Sequence, residues 1–287
     1  MHEQSRPFLT LITPPEGADR EATARLLAEA TGYDATTLRM RLGQPPPMIA
    51  GEFEPHAARR AVDSIVRHGG DAFAPTLGDI TALGPTRKVR DLRLGGAGLE
   101  IDLWRGPSTT VAPREVRIIV RGAMSESKTT GRALTALDVL GASTANPRTA
   151  GMAVGWGVGG AYGLAFGLYR SWQSGEFRPE RTIHASHKLD FHTTDGRVFQ
   201  IDGDKFGYGI LGRLRGYSDN ENIDRMCELF VHLNPDAVVD PYFRLFRPPS
   251  GHKRLRLPDM KINKDDPAFA FYSRWAALMY RHVMGES

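Results

Sequence analysis

Cysteine is nearly absent: Cys227 is the only one in 287 residues, so an intramolecular disulfide is excluded. The chain contains no Gly-x-Ser-x-Gly, Walker loop, HExxH or CxxC, which removes the local signatures of nucleophile-elbow hydrolases, P-loop enzymes, zincins and dithiol redox proteins. An active site assembled from distant residues would leave no such trace. Met1 to Pro7 has neither the basic stretch nor the apolar run of a secretory signal. With a single thiol, the expectation is a reducing, cytoplasmic compartment.

What is present is a composition of folded proteins, 41% hydrophobic and 24% charged, and a length that suits two domains. The net charge of +4 is a mild bias toward acidic partners. Nucleic acid is not expected, because such binders concentrate cations on one face. The one concentration lies between Arg244 and Lys264, including Lys253, Arg254 and Arg256, against Asp259 alone. It reads as a solvated loop between Pro248-Pro249 and Pro258, with a phosphate or lipid-headgroup patch as the alternative.

From the N-terminus, Phe8 to Ile12 suits a strand stopped by Pro14-Pro15. A helix from Ala18-Asp19 carries Ala22, Leu26, Leu27 and Ala30 on one face and stops at Gly32. Asp34 to Leu42 gives a second helix that Pro45-Pro46-Pro47 forbids to continue, and Met48-Ile49 a minimal strand. Glu54-Pro55 opens a third helix with the stripe Ala58, Ala61, Val62, Ile65, Val66. Gly69-Gly70 ends it, and Asp71 to Pro75 forms a last strand.

This βααβαβ order, with GYDATTLRMRLGQPPPMIAGEFEPHAARRAVDSIVRHGGDAF at its centre, resembles the C-terminal domain of the bacterial ribosomal stalk protein, whose fold is shared by the Clp-protease adaptor. The features that carry it are the proline-bearing link, the Ala-rich third helix and the paired glycine before a strand, within Pro7 to Leu77. The resemblance implies a docking module without chemistry of its own. The stalk protein offers a lysine-rich helical face to translation factors; here the first 77 residues hold no lysine, and Arg39, Arg41, Arg59 and Arg60 are the candidate partner-binding residues.

From Gly78 to Ala97, Gly84-Pro85 and Gly95-Gly96 punctuate a polar stretch that reads as a linker. Leu99 to Trp104 alternates strictly and reads as a half-buried strand, as does Val116 to Val120. His187 to Thr194 and Arg197 to Ile201 flank Asp195-Gly196, a two-residue hairpin signal in which both turn positions need positive φ. Ser218 and Glu221 suggest a capping box for a helix with Ile223, Met226, Leu229, Phe230 and Leu233 inward. Asp266-Pro267 opens a final helix with Phe269, Tyr272, Trp275, Leu278, Met279 and Val283 on its apolar face. Strands, a hairpin and a closing helix, in that order, resemble bacterial pleckstrin-homology-like domains.

One segment stands apart. Residues 149–169 carry no charge, and Gly151, Gly155, Gly159, Gly163 and Gly167 recur at every fourth position. On a helix, positions four apart fall on neighbouring turns of one face, so the ladder cuts a smooth groove that another helix can approach backbone to backbone. Helical over those 21 residues, it would reach roughly 31 Å, near the thickness of a hydrocarbon core. Each glycine costs about 1 kcal/mol of helix propensity, so the helix needs lipid or a packed neighbour. Arginines at both ends set no orientation for a single span.

His184, His187 and His192 with Asp190 invite a metal reading, but strand alternation puts His187 on the face of Leu189 and Phe191 and the other two on the opposite face. They read as surface and edge histidines, with no metal and no cofactor expected. Asp202-Gly-Asp204 suits a turn, and Cys227 a small core residue.

The expectation is therefore an α+β chain: 1–77 a stalk-protein-like domain, 78–97 a linker, 98–247 a sheet-plus-helix domain interrupted by the glycine segment 149–169, and 248–287 a basic loop and C-terminal helix. The expected work is non-catalytic: docking a protein partner, with the ladder contacting a membrane surface or a second copy. The alternatives are an enzyme with a site around Asp190, His192, Asp202 and Asp204, and an anion binder acting through the basic loop 244–264.

Overall fold

A computed structural model describes residues 6–130, 180–240 and 267–285. The chain divides into two units, Met1–Met124 with Ser186–Ser287, and Ser125–Ala185. The five ladder glycines and Lys253, Arg254 and Arg256 lie outside the described residues. What is described is mixed α+β.

The first part has the order read from the sequence: β1 (Phe8–Thr13), α1 (Arg20–Thr31), α2 (Ala35–Arg41), β2 (Met48–Glu52), α3 (Pro55–Arg67) and β3 (Asp71–Phe73). Local chemistry sets the ends. Asp19 and Asp34 accept the third-position N–H of α1 and α2 at 2.8 and 2.7 Å, and Gly32 closes α1 in the left-handed region at φ 76°. The buried face of α1 is Thr23, Ala24, Leu27 and Thr31, rotated from the expected stripe because Thr23 and Thr31 satisfy their hydroxyls on the helix's own carbonyls. In α3, Val66 is exposed and Ala57 buried. The three strands are antiparallel with β1 in the centre, and Leu9 and Leu11 pack with α1, α2 and α3.

Residues 78–97 are not a linker. Helix α4 (Leu77–Ala82) is capped by Thr76, while Asp79 returns a bond to the Thr76 N–H at 2.7 Å. Strand β4 (Thr86–Gly95) then enters a seven-stranded sheet of order β10-β7-β8-β9-β4-β5-β6. The other strands are β5 (Gly98–Leu103), β6 (Thr109–Val111), β7 (Val116–Thr130), β8 (Glu180–Thr193), β9 (Val198–Asp202) and β10 (Val238–Asp240). The inward residues of β4, Val89 and Leu92, are three apart because the register with β5 shifts between Val89 and Asp91. That irregularity breaks the two-residue period and makes the strand look like polar loop.

The β8–β9 hairpin is present, but its turn is not the expected two-residue kind. The N–H of Gly196 bonds the Thr193 carbonyl and the N–H of Thr193 the Arg197 carbonyl, both at 3.0 Å. Gly196 alone takes positive φ, 84°. Asp195 does not take positive φ; its carboxylate accepts from the Thr193 hydroxyl at 2.5 Å and the Arg197 guanidinium at 2.6 Å, and the loop is a longer one with a glycine bulge.

Helix α5 (Asp219–Leu233) covers one face of the large sheet, its Ile223, Met226 and Phe230 packing on Leu189, Phe191, Phe199 and Ile201. Ser218 caps it at 3.2 Å, while Glu221 turns back to the N–H of Tyr217, not of Ser218, so the expected reciprocal box is not formed. Helix α6 (Pro267–Val283) covers the other face. It is not amphipathic in the expected sense: Phe269, Phe271 to Ala277 and Met279 are all buried, and Val283 is exposed. Two layers enclose it, because Phe8, Ile80 of α4 and Leu83 at its C-cap join it in one cluster with Ile118 and Val120. The final helix is thus the shared core of the first strand and the large sheet.

Candidate functional site: a buried polar layer under α6

Strand alternation sends Leu189 and Phe191 of β8 toward α5, and Lys188, Asp190 and His192 toward α6. All three are buried, with 4%, 1% and 1% exposure. Burial of this kind requires partners, and β9 and α6 supply them. Asp190 lies opposite Gln200, whose amide donates to its carboxylate at 2.9 Å. The hydroxyl of Ser273 also hydrogen-bonds Asp190, and the Ser273 oxygen meets His192 Nε2 at 2.8 Å. Arg274, the next residue of α6, is 2% exposed and donates to the Gly84 carbonyl at 2.8 Å and the Thr86 hydroxyl at 3.4 Å. Arg281 donates to the Thr193 carbonyl at 3.1 Å.

Electrostatics push the two titrating groups in opposite directions. Burial raises the Asp190 carboxyl to about 6, opposed by its hydrogen bonds to Ser273 and Gln200 and by the charges of Lys188 and Arg274. Burial, then the nearby cations Arg281 and Arg274, lowers His192 to about 3, so the imidazole is neutral at pH 7. A hydroxyl has one proton; with that proton on Asp190, the consistent tautomer of His192 carries hydrogen on Nε2 and donates to Ser273. Nδ1 is then a bare acceptor, and it is buried without a hydrogen-bond partner.

Serine, histidine and aspartate thus form a chain, but the hydroxyl is its middle member. A carboxylate that cannot reach the imidazole neither orients it nor stabilises its cation, so the order is not that of a nucleophilic triad. The chain joins α6 to β8 through Ser273.

Of the four residues considered for an enzyme site, the fold brings Asp190 and His192 together and leaves the others apart. Asp202 accepts from Lys205 at 3.1 Å, and Asp204 is exposed in the turn after β9. His192 is not a surface histidine, contrary to expectation, because α6 covers its face of the sheet. The residues that complete the layer, Gln200, Ser273 and Arg274, escaped the sequence reading. A Ser-Arg pair inside the apolar run FAFYSRWAALMY was the available signal.

Among the described residues no group of His, Cys, Asp and Glu could hold a metal ion. Cys227 is a buried core residue whose thiol burial pushes up to about 12. The candidate docking arginines do not form one patch. Arg39 pairs with Glu21 at the start of α1 at 3.2 Å, whereas Arg60 donates to the carbonyl of Ala30 near its end at 2.9 Å. Arg59 is exposed, and Arg41 is half-buried. Among the described residues no helix is long and apolar enough to cross a membrane. In comparisons with known proteins, no family model, curated protein or solved structure matches the chain.

Proposed function

We propose that this is a non-catalytic attachment protein. Its N-terminal βααβαβ part docks a protein partner, and its glycine-ladder segment contacts a membrane surface or a second copy of the chain. The observation that carries this reading is one of connectivity. The ladder, 149–169, falls within the separate unit Ser125–Ala185, entered from β7 and left through β8, which are neighbours in the sheet. A long insertion between adjacent strands costs folding little, which makes such a place suited to carrying a function of its own.

The test is flotation with vesicles and sedimentation velocity over a concentration series, for the wild-type protein and for Gly159→Leu with Gly163→Leu. Wild-type protein should float or self-associate, and the double variant should do neither. Wild-type protein that stays monomeric and off vesicles at every concentration would overturn the proposal.

A second reading, acid–base chemistry at Asp190 and His192, draws on their opposed protonation. It requires a route past α6, and carbethoxylation of His192 in the native protein would support it.

A further inference from the structure

Between β9 and α5 the chain runs through Tyr208 to Ser218, a loop whose apolar residues divide into two sets. Tyr208 and Leu211 are buried, with 1% and 5% exposure, and anchor it to the α5-side core. Leu214 and Tyr217 face the other way, 66% and 107% exposed. A value above the extended-chain reference means that the Tyr217 ring stands off the fold. Arg213 and Arg215 flank Leu214, both exposed, and neither makes an ion pair among the described residues. From Gly209 to Ser218 there is no acidic residue.

The backbone that carries these side chains is clamped. The N–H of Gly216 donates to Asn222 Oδ1 at 2.7 Å, and Asn222 Nδ2 returns to the Gly216 carbonyl at 3.4 Å. The N–H of Tyr217 donates to Glu221 at 3.0 Å, and Arg225 donates to the Leu214 carbonyl. Gly216 sits so close to Glu221 that a β-carbon would collide with it. The first two turns of α5 thus hold the loop in a shape that displays a leucine and a tyrosine to solvent, so their ordering cost is met before any partner arrives.

We infer that this loop is a membrane-contact element: Leu214 and Tyr217 enter the headgroup region of an anionic lipid surface while Arg213 and Arg215 meet its phosphates. The area decides between lipid and protein. Two side chains cover a few hundred Å² at most, well short of the ~800 Å² a side of a stable protein interface. Shallow insertion of a few side chains adds instead to whatever else attaches the protein, and tyrosine and arginine suit the interface. The inference rests on the membrane form of the attachment reading but concerns a different segment from the ladder.

The experiment uses the full chain carrying Tyr217→Cys, labelled with an environment-sensitive dye; Cys227, buried with a raised pKa, does not compete. Vesicles are phosphatidylcholine alone or mixed with phosphatidylserine, and flotation is measured in parallel. The expected result is a blue-shifted, brighter dye on mixed vesicles only. Arg213→Ser with Arg215→Ser should weaken mixed-vesicle binding about thirtyfold, and Leu214→Ser should reduce it with no change in circular dichroism. Protein that floats on mixed vesicles with a silent dye would overturn this inference and leave the attachment reading standing. Protein that neither floats nor shifts the dye would overturn the membrane form of both. An equal dye shift with soluble RNA would assign the loop to a polyanion and overturn the lipid assignment.

Discussion

Trp275 donates its indole N–H to the hydroxyl of Thr10 at 2.8 Å, a buried bond between residues 265 positions apart. It ties the late helix α6 to the first strand, and Phe8 meets Phe271 edge-on beside it, ring centroids 5.3 Å apart. Replacing Thr10 by Val keeps the volume and strands the indole N–H, which should cost about 1–3 kcal/mol. Trp275→Phe removes the donor and leaves a void as well, so it should cost more. The double variant should be less destabilised than the sum, because the two residues share one interaction. Urea unfolding of the four proteins measures this, and strict additivity would count against a real coupling.

Opposed titrations under α6 give a stability profile with a definite sign. Asp190, raised to about 6 from 3.8, binds its proton more tightly when folded. Its favourable contribution is therefore complete below pH 3.8 and lost as pH rises through about 6. His192, lowered to about 3 from 6.5, binds its proton less tightly when folded. Its contribution is complete above pH 6.5 and lost as pH falls toward about 3. Between about pH 4 and pH 6 the two slopes cancel, since unfolding merely moves one proton from the acid to the imidazole. Asp190→Asn should expose the histidine, so that stability rises by about 1.4 kcal/mol per pH unit across that window; His192→Gln should give the reverse slope. Urea midpoints at several pH values decide it, and parallel profiles for all three proteins would refute the scheme.

The stretch 78–97 provides a third expectation. Leu92 of β4 is fully buried among Leu99, Ile101 and Val111. Leu92→Ala should cost about 2–5 kcal/mol, whereas the same change in a linker would be neutral. Thermal unfolding of the variant distinguishes the two.

Much of the small sheet and its helices was legible because caps and stops there are local: Asp19, Asp34, Gly32 and Pro55 mark their helices whatever the rest of the chain does. The inner strands of the hairpin were legible for the same reason, their alternation continuing up to the turn. Asp195-Gly196 misled because only Gly196 of the pair takes positive φ, while the Asp195 side chain is engaged with Thr193 and Arg197 across the loop. Strand β4 was hidden by a register shift and by an outer face of charges. The polar layer was hidden more deeply. His192 and Asp190 look like surface residues until α6 is placed over them, and nothing within ten residues of either announces that helix. Ser273 and Arg274 read as interruptions of an apolar face, because a helix enclosed on most of its circumference has no polar side on which to put them.

The position of α6 also governs when the molecule can be finished during synthesis. The surface of the first strand that bears Phe8 and Thr10 has no lid until residues 267–283 have left the ribosome. A nascent chain therefore carries that surface open until Trp275, 265 positions after Thr10, has been made. Contacts of such long sequence separation form late and slowly, so the closing of this face belongs to the last steps of folding and not to its nucleus.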